Sequence, residues 1–475
     1  MSENKASVLN LGKTHAHTVL KLSIPSIMEQ MVFSLFAICD TAQVGALGAE
    51  ASAAVGILSP FSWFLGGTIS AITTGFSVIT AHSIGEGDLV KASRSANKSI
   101  WTAVTTGTLI TLVCLLLSGY IPRWMGADES ILHMSTVYLA IYSISFVVNL
   151  IGTACSSTLR CTGETKLPLI LNTISIIVNI ILNALFIFPS KDVEIFGRSI
   201  HIWGADKGVG GAAFATLVSI IMSTVLLFIG VLYNKRGISI SIGAICKKNP
   251  ENKALYKRAF SIGMPIFLER LTINSGQMLY MRCISTMGTA SIAAHHLAVQ
   301  AESFSYMPIS GIQIAVQTLM SQSLGAKRFE DGEKFSKFSA KIGFVYGALA
   351  GVVLFILGRP IMMIFTPDID IVKMGAELLK IVAFGEALQA LNIVYSGCLR
   401  GIGDTKMPFY IGLAGIWGIR ITLCFITTFV LNMQIHAAWV VMVIDMCFRG
   451  IATTVCFKKK FSQLKSKINV SNALI

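Results

Sequence analysis

The first thing this sequence lacks is charge. Of 475 residues only 13% are Asp, Glu, Lys or Arg, about half the share of a soluble globular domain. Apolar residues make up 53%, and the mean hydropathy is +0.70. Such a chain cannot cover its own surface with polar groups, so something other than water must solvate it. Disorder, a soluble enzyme and a secreted disulfide scaffold are excluded. The ten cysteines form no CxxC pair. Cys39, Cys114, Cys155, Cys283, Cys424 and Cys447 lie in apolar runs, where Cys acts as a small hydrophobe, so neither a disulfide framework nor a zinc site is indicated. A Walker lysine motif is also missing. Gly85-Glu-Gly87 lacks a third glycine and follows an apolar run, so it does not read as a nucleotide loop. His295-His296 has no Cys or Asp ligand nearby and reads as an interfacial pair rather than a metal site. Met1 to Thr18 is polar, without the apolar core of a signal peptide. No metal, cofactor or enzymatic constellation is expected.

What is present is a series of long apolar runs. A membrane helix needs about 20 mostly apolar residues, and twelve runs qualify. In the first half they are 19–43, 53–80, 98–120, 132–156, 168–188 and 210–233. In the second half they are 259–284, 292–321, 340–358, 374–397, 409–431 and 436–456. None alternates with the period of two that a barrel strand requires.

The formal charge is +14, from 38 basic and 24 acidic residues. In a soluble chain this would point to nucleic acid, but here the bases sit in short loops between apolar runs, and no nucleic-acid partner is expected. With the N-terminus placed in the cytoplasm, 28 of the 38 fall on the cytoplasmic side and seven on the other. Arg270, Arg282 and Arg420 fall inside spans. This bias predicts an even number of spans, cytoplasmic N- and C-termini, and residence in a cell (inner or plasma) membrane with lipid as its solvent.

The chain is also duplicated. Shifted by 240 residues it matches itself without gaps. Pro25 falls on Pro265, Glu29 on Glu269, Gly48 on Gly288, and Ser83 and Gly85 on Ser323 and Gly325. Leu-Arg-Cys-Thr-Gly-Glu-Thr-Lys-Leu-Pro (159–168) falls on Leu-Arg-Gly-Ile-Gly-Asp-Thr-Lys-Met-Pro (399–408). Each unit carries six spans, an even number, so both enter the membrane in the same direction as a parallel repeat. The expected fold is therefore an all-α membrane protein of twelve transmembrane helices in two parallel six-helix repeats. Its segments are a tail 1–18, an N-lobe 19–233, a cytoplasmic linker 234–258, a C-lobe 259–457 and a tail 458–475. Two such bundles leave a central cleft suited to alternating access.

Four passages resemble the MATE family, the multidrug and toxic compound extrusion transporters. They are Pro25 followed by Asp40-Thr-Ala-Gln-Val-Gly-Ala-Leu-Gly-Ala-Glu-Ala-Ser-Ala-Ala-Val; the paired Leu-Arg-x-x-Gly-Glu/Asp-Thr-Lys-x-Pro loops; Asn179-x-x-x-Asn183; and Gly288-Thr-Ala-Ser-Ile-Ala-Ala-His-His, continuing to Ser323-Leu-Gly-Ala. The resemblance covers about residues 15–455 and is nearest to bacterial DinF-like and MepA-like members. It implies a monomeric antiporter that exports drugs and other amphipathic, often cationic compounds in exchange for H⁺, with antibiotic resistance as a consequence. A Na⁺-coupled antiporter of the same fold and a lipid-linked oligosaccharide flippase are the alternatives.

Asp40 is the leading site residue. An ionised carboxylate at mid-bilayer costs roughly 2.5–3.5 kcal/mol or more, so it must face water, meet a cation or carry a proton. An interfacial helix-capping role is the competing reading, and the resemblance favours cation coupling. Asn179 and Asn183 stand four residues apart on one helical face, able to orient a carboxylate or coordinate Na⁺. The resemblance places both beside Asp40, with Thr216 as the remaining polar member and Tyr138 as a pocket residue. Many DinF-like relatives have Asp where this chain has Asn183, so one carboxylate is missing here. Taken alone, Thr216 reads as back-bonded to its own helix. In the second half offset 240 replaces Asp40 by Tyr280, so the cation sites are expected to be asymmetric. The secondary acids are Glu29, Glu269, Glu302 and Glu386. Glu269 is the nearest match to an acid that some MATE branches use in span seven, or it neutralises Arg270, Arg282 or Arg420. Asp445 and Arg449, at i and i+4, read as a structural ion pair. Pro25 and its twin Pro265 are the expected helix kinks.

Overall fold

The computed structural model describes residues 7–9, 11–12, 14–195, 198–234, 236–246 and 251–473. Parts of the expected segments lie outside the described residues: 1–6, 10 and 13 of the first tail, 196–197 of the N-lobe, 235 and 247–250 of the linker, and 474–475 of the last tail.

The chain is a succession of helices. The first half contains α1 (His15–Gly45), α2 (Ala49–Gly56), α3 (Ser59–Glu86), α4 (Leu89–Leu116), the single turn α5 (Ile121–Trp124), α6 (Glu129–Cys161), α7 (Lys166–Ile187) and α8 (Gly208–Leu232). After the short α9 (Ile242–Cys246) come α10 (Glu251–Ser285), α11 (Thr289–Gly325), α12 (Phe329–Phe365), α13 (Ile369–Ala383), α14 (Glu386–Gly401) and α15 (Lys406–Leu413). The run begun by α15 continues as a π-helix (Ala414–Ile421), α16 (Thr422–Phe425) and a second π-helix (Ile426–Val430). The last helix is α17 (Ile435–Ala473). Short polar caps start several of them. Asp88 accepts from the Lys91 amide at 2.8 Å before α4, and Asp368 accepts from Asp370 and Ile371 before α13, each satisfying amides that a helix start leaves open.

Every apolar run of the sequence falls on one of these helices or on a series of consecutive helical segments. Among the described residues nine are long and apolar enough to cross a membrane, and a tenth if α13 and α14, bent by 56°, form one broken span. The run 374–397 is therefore not one straight rod, and the run 53–80 is divided into α2 and α3 at residues 57–58. Helices α10 and α11 fall short of that apolar measure. They carry Glu269, Arg270, Arg282 and Glu302 among others, and their polar content is what the site below uses. One feature has no counterpart in the expected fold: between α7 and α8 lies an antiparallel hairpin of β1 (Pro189–Ile195) and β2 (Arg198–Ala205), with Val193 opposite Ile200.

Helix α7 shows how the chain is solvated. Ser175, Asn179 and Asn183 recur every four residues and are buried, while Ile170, Ile174, Ile177 and Ile181 are exposed. A water-soluble helix has the reverse arrangement. Large apolar side chains are likewise exposed along α4 and α12, including Leu116 at 77% and Ile356 at 67%. Surfaces of this kind are stable against hydrocarbon and aggregate in water.

The chain divides into two compact units. Among the described residues, the first comprises those in 31–80 and 88–257 and the second those in 7–30, 81–87 and 258–473. In the first, α6 packs against α4 and α8, and α7 against α8. Its apolar core gathers Val44, Leu58, Leu139, Ile187 and Ala213. The part of the linker that is described is fastened to this unit. Asn97 donates to the Ser239 carbonyl at 3.0 Å, and Lys98 Nζ donates to the Ile245 carbonyl at 2.6 Å, at the end of α9. The expected linker thus contains a docked strap, and its last residues already belong to α10. In the second unit, α11, α12, α13, α14 and α17 pack around Trp439, Leu378 and Met446 on one side and Ile309, Val394 and Phe457 on the other.

The duplication is visible in geometry. Gly163 and Gly403, twins at offset 240, turn the chain with φ of 78° and 84°, a region that Gly enters without strain. The acid that follows each glycine meets a base lying beyond the sixth apolar run of its own half: Glu164 with Arg236 at 2.9 Å, and Asp404 with Lys460 at 3.1 Å. Within the second unit, Gly85 and Gly325 form a reciprocal seam. A Cβ on Gly85 would strike the Gln322 backbone, and one on Gly325 would strike the backbone of His82, which is the twin of Gln322.

Candidate functional site

In the first unit the polar face of α7 forms a ladder. Ser223 donates to Asn172 Oδ1 at 2.9 Å, and Ser175 to the Ser219 carbonyl at 2.7 Å. One turn on, Asn179 Nδ2 faces Thr216 Oγ1 at 3.2 Å and Ser219 Oγ at 3.3 Å. Another turn on, Asn183 Nδ2 reaches Asp40 Oδ1 at 2.9 Å, Gln43 Oε1 at 2.9 Å and Asn179 Oδ1 at 3.2 Å. Asn179 and Asn183 are 1% and 0% exposed. Each rung thus faces a polar group of α8 or α1, so the polar atoms of this face, apart from Asn183 Oδ1, are satisfied by neighbours.

The structure therefore brings Asp40, Asn179, Asn183 and Thr216 into one connected network. The Thr216 hydroxyl oxygen accepts from Asn179 of α7, a contact outside its own helix. Tyr138 is buried and stacks on Tyr142 with centroids 5.6 Å apart, and both phenols lie within electrostatic range of Asp40. Three members were missed from the sequence: Gln43, Ser219 and Tyr142. Each stands three or four residues from a residue that was picked (Asp40, Thr216 and Tyr138), so helical periodicity alone would have flagged them.

The second unit holds a denser set of charges. Glu269 accepts two bonds from Arg400 Nη2, at 2.8 and 2.9 Å. This corrects the expected partner, which was Arg270, Arg282 or Arg420. It also moves Arg400 from a solvated loop to a buried site, because the last turn of α14 is packed inside the unit. Asp445 and Arg449 pair as their spacing suggested, and Arg420 joins them. Arg420 Nε and Arg449 Nη2 each stand 2.9 Å from Asp445 Oδ2. Arg420 projects from the first π-helical segment, a local underwinding of the kind frequent at functional positions.

Glu302 lies in electrostatic range of Arg420 and Arg449. Glu386 is different: it is fully buried at the break between α13 and α14, Ser305 donates to its Oε2 at 2.7 Å, and its Oε1 has no partner. Of the remaining candidates, Glu29 is buried in the second-unit part of α1. Helices α1 and α10 run through Pro25 and Pro265. Of the pair His295-His296, His295 packs inward. It is buried, edge-on to Tyr280 and Trp439 with centroids 5.7 Å from each, and only His296 is exposed.

With this geometry in hand, comparison with known proteins is informative. The MatE family model matches the chain twice, at residues 25–185 and 265–426. The two starts differ by 240 residues, the offset of the internal repeat. Similar proteins include one named as a probable multidrug resistance protein NorM from Thermotoga maritima, 25% identical over 91% of this chain and 90% of that one. Another, from Bacillus subtilis, is named as a probable multidrug resistance protein YoeA and is 21% identical over 88% of each. Among solved structures, a MOP superfamily transporter from Pyrococcus furiosus superposes with a TM-score of 0.87 at 20% identity, covering 98% of this chain and 99% of that one.

Proposed function

Since the chain belongs to the MatE family, we propose that it is a secondary active multidrug exporter, exchanging amphipathic, often cationic compounds for H⁺ by alternating access across a cell membrane. The observation that carries this reading is the hydrogen bond from the buried Asn183 to the half-buried Asp40, at the edge of a network of amides and hydroxyls. Ionised Asp40 is an acceptor that Asn183 holds, and it attracts a cationic substrate. Protonation from the outside removes the charge, weakens the bond to Asn183 and releases the drug. The empty protonated carrier then returns, loses its proton to the cytoplasm and reloads.

Magnitudes bound what one carboxyl can do. A hydrogen bond to a charged group contributes about 1.5–3 kcal/mol and a neutral one about 0.5–1.5. Protonation therefore changes the network by roughly 1–2 kcal/mol, a five- to thirty-fold bias. Throwing a two-state carrier from 1:99 to 99:1 takes about 5.5 kcal/mol. The remainder must come from substrate contacts and from other protonatable groups. Glu386, buried with a hydroxyl as its partner, is the best placed second acid, whereas Glu269 is already neutralised by Arg400. Arg400, Arg420 and Arg449 are all committed to carboxylates, which disfavours a flippase recognising a pyrophosphate.

The test is ethidium efflux from proteoliposomes under separately imposed H⁺ and Na⁺ gradients. Wild-type protein is expected to respond to the H⁺ gradient at fixed Na⁺, and Asp40→Asn to lose that response. A response to Na⁺ alone would replace H⁺ by Na⁺, with the Asp40, Gln43 and Asn179 oxygens as its ligands. An Asp40→Asn protein that retains wild-type pH-driven rates overturns the scheme.

A further inference from the structure

Three acceptors converge on the Asn183 amide nitrogen: Asp40 Oδ1, Gln43 Oε1 and Asn179 Oδ1. That nitrogen carries two hydrogens, so one acceptor is always short. The two neutral acceptors are held in place from their far ends. Gln43 Nε2 donates to the Ile180 carbonyl at 3.1 Å, one turn of α7 before Asn183, which aims Oε1 at Asn183. Asn179 is fixed by its bonds to Thr216 and Ser219. The Asn183 carbonyl oxygen is itself buried without a partner, so the amide gains nothing by turning away.

We propose that Gln43 is a positioning residue for proton exchange at Asp40: it competes for the Asn183 N–H and keeps that hydrogen when Asp40 becomes neutral. The contact between α1 and α7 then survives the change of charge, and Asp40 is held less firmly in its ionised form than Asn183 alone would hold it. This rests on the proton reading above. The titratable groups that face Asp40 from the packed helices are Tyr138 and Tyr142 of α6, while α7 and α8 bring only amides and hydroxyls here. Phenols ordinarily titrate near 10, so neither phenol accounts for a change between pH 5.5 and 8.5.

The experiment measures the pH midpoint of ethidium efflux in proteoliposomes for wild type, Gln43→Leu, Gln43→Glu and Asp40→Asn. In Gln43→Leu both Asn183 hydrogens are left to Asp40 and Asn179. The carboxylate is favoured, and the midpoint moves down by about half a pH unit or more, a threefold change in proton affinity. Gln43→Glu places a second acid one turn from Asp40 and moves the midpoint up. It is isosteric, so it keeps the test alive if the leucine variant fails to fold. Opposite shifts support the assignment, since a merely structural glutamine would alter yield or maximal rate but not move the midpoint in two directions. If Asp40→Asn is inactive and both Gln43 variants keep the wild-type midpoint, Gln43 has no such role. If Asp40→Asn still transports in response to pH, the proton reading fails and this proposal with it.

Discussion

At the scale of single residues, the acids inside the protein are handled in two ways: Asp40 and Glu386 meet neutral donors, and others meet guanidinium groups. Asp40 stands among neutral donors, whereas Glu269 and Asp445 are matched by guanidinium groups. A buried ion pair adds little net stability over an apolar pair, but removing one partner strands the other at roughly 3–5 kcal/mol. Arg400→Ala is therefore expected to lower the thermal unfolding temperature of detergent-solubilised protein sharply. The double variant Arg400→Ala/Glu269→Ala should recover much of the loss. If the double variant is as unstable as the sum of the singles, Glu269 and Arg400 are not coupled. Glu29 repeats Glu269 in sequence yet lies on α1, whose two halves belong to different units.

At the scale of elements, α7 and α8 are joined by hydroxyl and amide bonds on successive turns. Interhelical bonds of this kind contribute about 0.6 kcal/mol each, so Ser175→Ala is expected to be mild, shifting the unfolding temperature by a degree or two. Asn179→Ala breaks the ladder at its junction with the Asp40 network, and should lower efflux far more than stability. Equal losses of stability and efflux in both variants would mean that the ladder only glues the helices. Most of these elements were legible in the sequence, because runs of about twenty apolar residues and helical periodicity declare themselves locally. The spacing of Asn179 and Asn183 put both on one face, and the structure shows that face buried. What was not legible depends on packing. The bend that exposes the start of α14 to Ser305, the partner of Glu269, and the burial of His295 all follow from which helices touch. The β1–β2 hairpin lies in a stretch with no apolar run to announce it.

At the scale of the whole molecule, the repeat is the organising fact. The family model matches twice at the internal offset, twin glycines turn with nearly equal φ, and Gly85 and Gly325 pack reciprocally. The chemistry does not follow the repeat. Asp40 has Tyr280 as its twin, whose hydroxyl donates to the Ala438 carbonyl at 2.9 Å, so the Asp40 site has no counterpart at the repeat offset. Exchange of drug for proton at one carboxyl has a direct signature. When a cationic drug such as ethidium binds purified wild-type protein in weakly buffered detergent solution, protons should be released into the medium, and the drug should bind more weakly as the pH is lowered. Asp40→Asn should bind with no proton release attributable to this site. Binding by the wild type without proton release, or unchanged release from Asp40→Asn, would contradict the account.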